Sequence, residues 1–418
     1  MKSDIIKKCT VAVLGLGAMG VFAHSGESQK VASAPVEKSL SFCEALARGP
    51  VLYEDKDSFV RKFKLMMTGQ YQFGTVSPSG RNRYKHDSGG HNSEWRRAYL
   101  GFEAVLGDGS WRLVNQNNVG DLEARNTLQD GQWIDNHTQW SIYELYLEKK
   151  INGFGKLKLG KVTPHYTSEY SQSSSVIKTV ERSAICNELV PLSNWAIEAN
   201  YQEDKDTLHT FGVYLNANGV NLRDEIQFNS DDNVFAMIGS KWKIDSSIWD
   251  EQHWGMEYVH NFANWRGRSV EADSNYQGPG AQDIISVGWD AKVGNLGLMA
   301  NFLAGMGIQG KEGAKNVWGG VFQATYRVCD HVELVSQQAC AFGKNSVKLY
   351  SRYVPSVTSY PSWVDSMYSV YFGANWYLCP ESINTVKLMT GVEYITSRAK
   401  SGNAYDGWNF YGALRFKF

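Results

Sequence analysis

The stretch Trp408-Asn409-Phe410-Tyr411-Gly412-Ala413-Leu414-Arg415-Phe416-Lys417-Phe418 alternates without a break. In an extended chain Trp408, Phe410, Gly412, Leu414, Phe416 and Phe418 share one face, and Asn409, Tyr411, Ala413, Arg415 and Lys417 share the other. A strand with one apolar and one polar face suits a sheet with hydrocarbon outside and water inside. In hydrocarbon every backbone group must find a partner within the protein, so such a sheet has to close into a barrel.

The other end of the sequence agrees. Lys2, Lys7 and Lys8 precede an apolar run from about Cys9 to Ala23, which reads as a secretory signal peptide over residues 1–23. That run is too short for a spanning helix of about 20 residues, and a mean hydropathy of −0.38 leaves no room for another. Inside the leader Gly15, Gly17 and Gly20 spell GxGxxG. No helix pattern or ribose-binding acid follows, so the match belongs to the leader's apolar core and implies no dinucleotide cofactor. The full chain carries 42 Lys and Arg against 43 Asp and Glu, and removing Lys2, Lys7, Lys8 and Asp4 leaves a net charge of about −3. A near-neutral chain lacks the basic surface that a nucleic-acid partner requires.

With Cys9 removed, Cys43, Cys186, Cys329, Cys340 and Cys379 mature in an oxidising compartment. No CxxC pair or nearby His pair marks a metal site, and no cofactor is expected. Cys329 and Cys379 fall in turns two strands apart, beyond ordinary disulfide reach unless the turns lean together, so connectivity stays open.

Along the chain, Gly26 to about Leu40 reads as a tether and Ser41–Ala47 as a helical turn ended by Pro50. Residues 24–60 thus form a periplasmic extension, and 61–418 the barrel. Tight turns fall near Gly107–Ser110, Asn152–Gly155, Asp204–Asp206, Asp245–Trp249, Gly294–Asn295, Asp330–His331 and Pro380–Asn384. Longer loops fall near Thr75–Ser93, Asp121–Gln139, His165–Leu192, Asn218–Asp232, Ala263–Ala281, Ile308–Gly313, Gly343–Asp365 and Ala399–Asp406. Together they join about 16 strands, short connections at one end and long ones at the other. The expected fold is all-β, a transmembrane antiparallel up-and-down β-barrel. Alternation puts Arg97, Tyr99, Glu103, Glu144, Tyr146, Glu148, Lys156 and Lys158 inward, with Leu100, Phe102, Tyr143, Leu145, Leu147, Leu157 and Leu159 outward. A charge on the lipid side costs about 2 to 4 kcal/mol for Arg or Lys at mid-bilayer, which fixes that orientation. A polar interior of mixed sign implies water and permeation.

The long third loop holds His165, Glu169, the serines Ser171 and Ser173 to Ser175, Lys178, Glu181, Arg182 and Cys186. Folded inward, such a loop narrows the pore and selects what passes. The run EWRRAYLGFEAVLGDGSWRL, then YELYLEK, GKLKLGKVTP and TSEYSQSSSVIKTVERSAI, resembles the phosphate-selective porin O and P family in order and spacing. Its most specific pieces are Arg96-Arg97 before GFE and Glu181-Arg182-Ser183. The resemblance implies a 16-stranded trimer, a third loop folded into the lumen, and diffusion of small anions across the bacterial outer membrane. Phe418, with Phe416, resembles the signal by which the barrel assembly machinery recognises such proteins. The expected partners are therefore outer-membrane lipid, small hydrophilic solutes or anions, that machinery, and two further copies of the chain. The loop mixes Lys178 and Arg182 with Glu169 and Glu181, where phosphate-selective members are expected to be richer in arginine and lysine. The expected pore lining is His165, Lys178 and Arg182 with Arg97, Lys156 and Lys158, together with the acids Glu169 and Glu181; the plainer role for Arg182 is to pin the loop.

Two other classes meet less support. Ser171 and Ser173 to Ser175 share the loop with His165 and Glu169, as a hydrolase site needs, but neither GxSxG nor HExxH occurs and no enzyme activity is expected. Trp133, Trp265, Tyr276, Tyr360 and Trp363 in the loops suit an adhesin or carbohydrate binder, though interfacial girdles also use such residues. Asp231 and Asp232 read as a solvated pair rather than a metal site.

Overall fold

The computed structural model describes residues 41–79, 90–119, 125–129, 132–136, 141–173, 175–215, 234–262, 279–310, 313–348, 363–399 and 402–418. The expected leader and tether, residues 1–40, lie outside them. A short helix, Phe42–Arg48, comes first. Ser41 caps it by accepting from the Glu44 amide while the Glu44 carboxylate accepts from the Ser41 amide, a reciprocal pair that satisfies two helix-end donors.

Strands follow: β1 Val51–Glu54, β2 Val60–Pro78, β3 His91–Leu106, β4 Trp111–Asn118, a separate hairpin of β5 Arg125–Gln129 and β6 Gln132–Asn136, β7 Ser141–Ile151, β8 Gly155–Val162 and β9 Asn194–Gln202. The second half holds β10 Thr207–Leu215, β11 Val234–Lys243, β12 Glu251–Asn261, β13 Asp283–Val293, β14 Leu296–Gly310, β15 Gly313–Cys329, β16 Val332–Lys348, β17 Trp363–Tyr377, β18 Val386–Ala399 and β19 Gly402–Lys417. Apart from β1 and the β5–β6 hairpin, they form a closed antiparallel barrel of 16 strands. β19 shuts it against β2, in register from Gly407 opposite Pro78 to Lys417 opposite Thr68.

The seven tight turns lie where glycine, asparagine and aspartate placed them. The opposite ends differ from expectation. β2 continues to Pro78, β16 to Lys348, and β18 pairs with β19 down to Ala399 opposite Gly402, inside stretches that sequence composition marked as loop. Polar residues there still pair as strand, because each extended neighbour offers a ready ladder of donors and acceptors.

Alternation sorts the faces. On β19, Phe410 is 51% and Leu414 40% exposed outward, while Asn409 and Arg415 are buried inward. Register shifts interrupt the pattern at several points along the wall, and two of them fall beside the loop between β8 and β9. Gln70 stands opposite Arg97 but Tyr71 opposite Trp95, so Arg96 is an extra residue in β3. Gln116 stands opposite Glu144 but Asn117 opposite Ile142, so Tyr143 is extra in β7. A bulge re-aims side chains that strict alternation would send elsewhere. Tyr143, expected outward, instead stacks its ring on Tyr99 at 4.3 Å on the inner side.

Candidate functional site: a loop tied across the barrel lumen

Between β8 and β9 the chain leaves the wall and crosses the interior. Tyr166, Ile177, Val180, Ile185, Cys186 and Leu189 on this loop are buried. Each such large side chain contributes roughly 1.5 to 3 kcal/mol through removal from water. A short helix, Ala184–Leu189, is capped by the Ser183 hydroxyl and packs on β14, β15 and β16. The wall is cut away to receive it. A Cβ added at Gly305 would meet Leu189 Cδ2 at 2.5 Å, and one at Gly319 would meet Ile185 Cδ1 at 2.7 Å.

Polar ties fix the rest of the loop to one arc of the wall. Glu181 accepts from Arg96 Nε of β3 at 3.1 Å and from Gln72 Nε2 of β2 at 2.7 Å. Lys178 donates to both Glu333 oxygens of β16 at 3.0 Å and to the Tyr377 hydroxyl of β17 at 3.2 Å. Asn375 of β17 donates to the Lys178 carbonyl at 2.9 Å. Lys387 of β18 donates to the Ile177 carbonyl at 2.7 Å, and Arg415 of β19 to the carbonyls of Ile177 and Val180. Glu169 accepts from the Ser183 amide at 2.7 Å, the Ser183 hydroxyl at 2.6 Å and Gln337 Nε2 of β16 at 3.3 Å. Hydrogen bonds to charged groups contribute about 1.5 to 3 kcal/mol each, so the loop is held by six consecutive strands of the wall, β16 to β19 and on to β2 and β3.

The structure divides the sequence-derived residues into groups. Lys178, Glu169 and Glu181 bind loop to wall. Arg182 donates to the Gln172 carbonyl at 2.8 Å and lies 4.5 Å over the Tyr170 ring, so it braces the loop on itself. Lys156 and Lys158 face inward and pair with Glu148 at 3.3 Å and Glu198 at 2.8 Å. Arg97 faces inward and donates to Gln70 Oε1 at 2.6 Å. In register, Lys387, Arg415, Gln70 and Arg97 form one row across β18, β19, β2 and β3.

His165 and Arg182 line a cavity of about 250 Å3 between the loop and the wall, with Arg112 of β4, Lys417 of β19, Glu144 of β7 and the Tyr99–Tyr143 pair. Arg112 is bridged to Glu103 at 2.7 Å and Glu148 at 3.8 Å. Neither Arg112 nor Lys417 is among the expected lining residues, although alternation on WRLVNQ points Arg112 inward and Lys417 stands on the polar face of the last strand. Arg96 was passed over because alternation alone sends it to lipid.

The hydrolase arrangement does not assemble as a triad would require: the Glu169 carboxylate is engaged by Ser183 and Gln337 rather than by His165. Ser174, the side chains of Trp133, Trp265, Tyr276, Tyr360 and Trp363, and Asp231 and Asp232 lie outside the described residues.

Similar folds occur among solved outer-membrane proteins. The high-pH structure of Pseudomonas putida OprB aligns with a TM-score of 0.55 at 10% identity, covering 85% of this chain and 94% of that one. The anion-selective porin from Comamonas acidovorans aligns at 0.53 and 11%, covering 85% and 99%. The outer membrane channel DcaP of Acinetobacter baumannii aligns at 0.53 and 11%, covering 88% and 100%. At such identities the likeness speaks for the barrel architecture. No curated protein sequence matches the chain. In sequence, residues 63–243 match the family described as phosphate-selective porin O and P, a span that contains Arg96-Arg97 and Glu181-Arg182-Ser183.

Proposed function

We propose that the protein is an outer-membrane porin, a water-filled channel for passive diffusion of small hydrophilic solutes that prefers anions and acts as a homotrimer. The observation that carries this reading is the inward loop, because it leaves a cavity against the wall lined by Arg182, Lys417 and the acid Glu144, together with Arg112, which Glu103 and Glu148 bridge. Cations such as Arg182 and Lys417 on the low-dielectric wall of a narrow passage attract anions. Phosphate is the finer assignment, supported by the family match over residues 63–243. Phe416, whose ring covers Gly69, and Phe418 beside it at 6.4 Å are the residues offered to the assembly machinery.

Reversal potential across a planar bilayer in a potassium chloride gradient tests the reading. Anion preference is expected, and added phosphate is expected to reduce chloride current. Cation preference would overturn the charge assignment, and absence of discrete conductance steps would overturn the channel itself.

A further inference from the structure

We infer that the segment Ser41–Glu54 is a redox-dependent clasp that locks the closing seam of the barrel, β18–β19–β2, at its short-turn end.

The seam turns on β2. Along one side it pairs with β3 from Val60 onward. Along its other side it pairs with β19, but only from Thr68 to Pro78. Phe418 completes that run by exchanging two backbone hydrogen bonds with Met67, at 2.8 and 3.0 Å. Below Met67 the same edge of β2 passes to the N-terminal segment. The Leu65 amide donates to the Pro50 carbonyl at 3.0 Å, and Val51 and Glu54 of β1 stand opposite Lys64 and Lys62. One edge is thus shared end to end by β19 and β1, and neither leaves a row of open donors there.

The joint between them is close. Gly49 has φ 65°, a backbone setting that favours glycine, and a Cβ there would lie 3.2 Å from the Phe418 carbonyl carbon. From this joint the Phe42–Arg48 helix runs to the other side of β19 and touches the short 3-10 turn Pro380–Ser382, between β17 and β18. There Cys43 forms a disulfide with Cys379 across a sequence separation of 336 residues, with a Cα–Cα distance of 5.3 Å.

The covalent link therefore joins the strand before β19 to the strand after it. Cys43 reaches Cys379 only when β2 and β18 flank β19, which is the closed barrel. Forming the bond takes two electrons and two protons from the two thiols and passes them to an oxidised dithiol partner by disulfide exchange. Once formed, β2 cannot move laterally from β18 without tearing β1 from β2 or breaking the helix.

Hydrogen exchange on the folded, detergent-solubilised protein tests this, with and without dithiothreitol, which is oxidised to its cyclic disulfide as Cys43 and Cys379 regain their protons. Reduction is expected to speed exchange at the Met67, Thr68 and Phe418 amides by about tenfold or more, while the β13–β14 seam keeps its rate. Cys43→Ser and Cys379→Ser are each expected to reproduce the reduced pattern. Should either variant fail to fold, the reduced wild-type protein carries the comparison alone. Equal rates at both seams in the two redox states, or peptide mapping that finds Cys43 and Cys379 as separate thiols in protein isolated without reductant, would overturn the clasp.

Discussion

Glu169 shows how one carboxylate governs the shape of the passage. It accepts two hydrogen bonds from Ser183, which caps the Ala184–Leu189 helix, and a third from the wall. Glu169→Ala leaves those donors buried without an acceptor, at a cost of about 1 to 3 kcal/mol each. The expected result is a lower thermal unfolding temperature in detergent and noisier single-channel current; an unchanged current trace would show that the loop is held without it. Arg96 acts differently, since its guanidinium neutralises Glu181 beside the lumen. Arg96→Ala is expected to shift the reversal potential toward cations, more than a substitution of equal size at outward Leu100 does. The importance of Glu169 and Arg96 was only half legible. Both residues stand in the motif-bearing stretches, but the partners that define their roles lie far away in sequence, on β16 and in the loop.

At the scale of elements, the strands were readable because lipid and water on opposite faces impose a period of two that few other structures need. The bulges at Arg96 and Tyr143 were not, because an extra residue in one strand is defined by the register of its neighbour. The disulfide was equally hidden: Cys379 could be placed in a turn, but Cys43 lay in a segment whose docking place no periodicity encodes. The loop helix rests on missing side chains in β14 and β15. Gly305→Val puts branched carbons into the space of Leu189 and is expected to expel the helix. Overpacking of this kind costs about 1 to 3 kcal/mol. Single-channel conductance is the measurement, with a rise above the unaltered protein expected; a fall would mean that the displaced helix plugs the passage.

For the whole molecule, the proposed charge selectivity and the closure of the barrel rest on different residues. Arg112→Ser with Lys417→Ser removes two of the three Arg and Lys residues that line the cavity and touches none of the loop's ties to the wall. Anion preference is expected to fall several-fold in a salt gradient, while unheated samples keep the compact mobility of a folded barrel on denaturing gels. Loss of both together would mean that the pair also supports the wall. The architecture was legible in outline, since turn spacing, face alternation and the apolar face of the last strand all agree on a closed sheet. The charge of the passage was not. Counting basic residues treats Lys178 of the loop and Lys387 and Arg415 of the wall as free charges, yet each has a carbonyl or a carboxylate as its partner. This division has a consequence for how such channels diversify. If the proposed channel selects by charge, substitutions at Arg112 and Lys417 would alter what enters without loosening the cations that moor the loop.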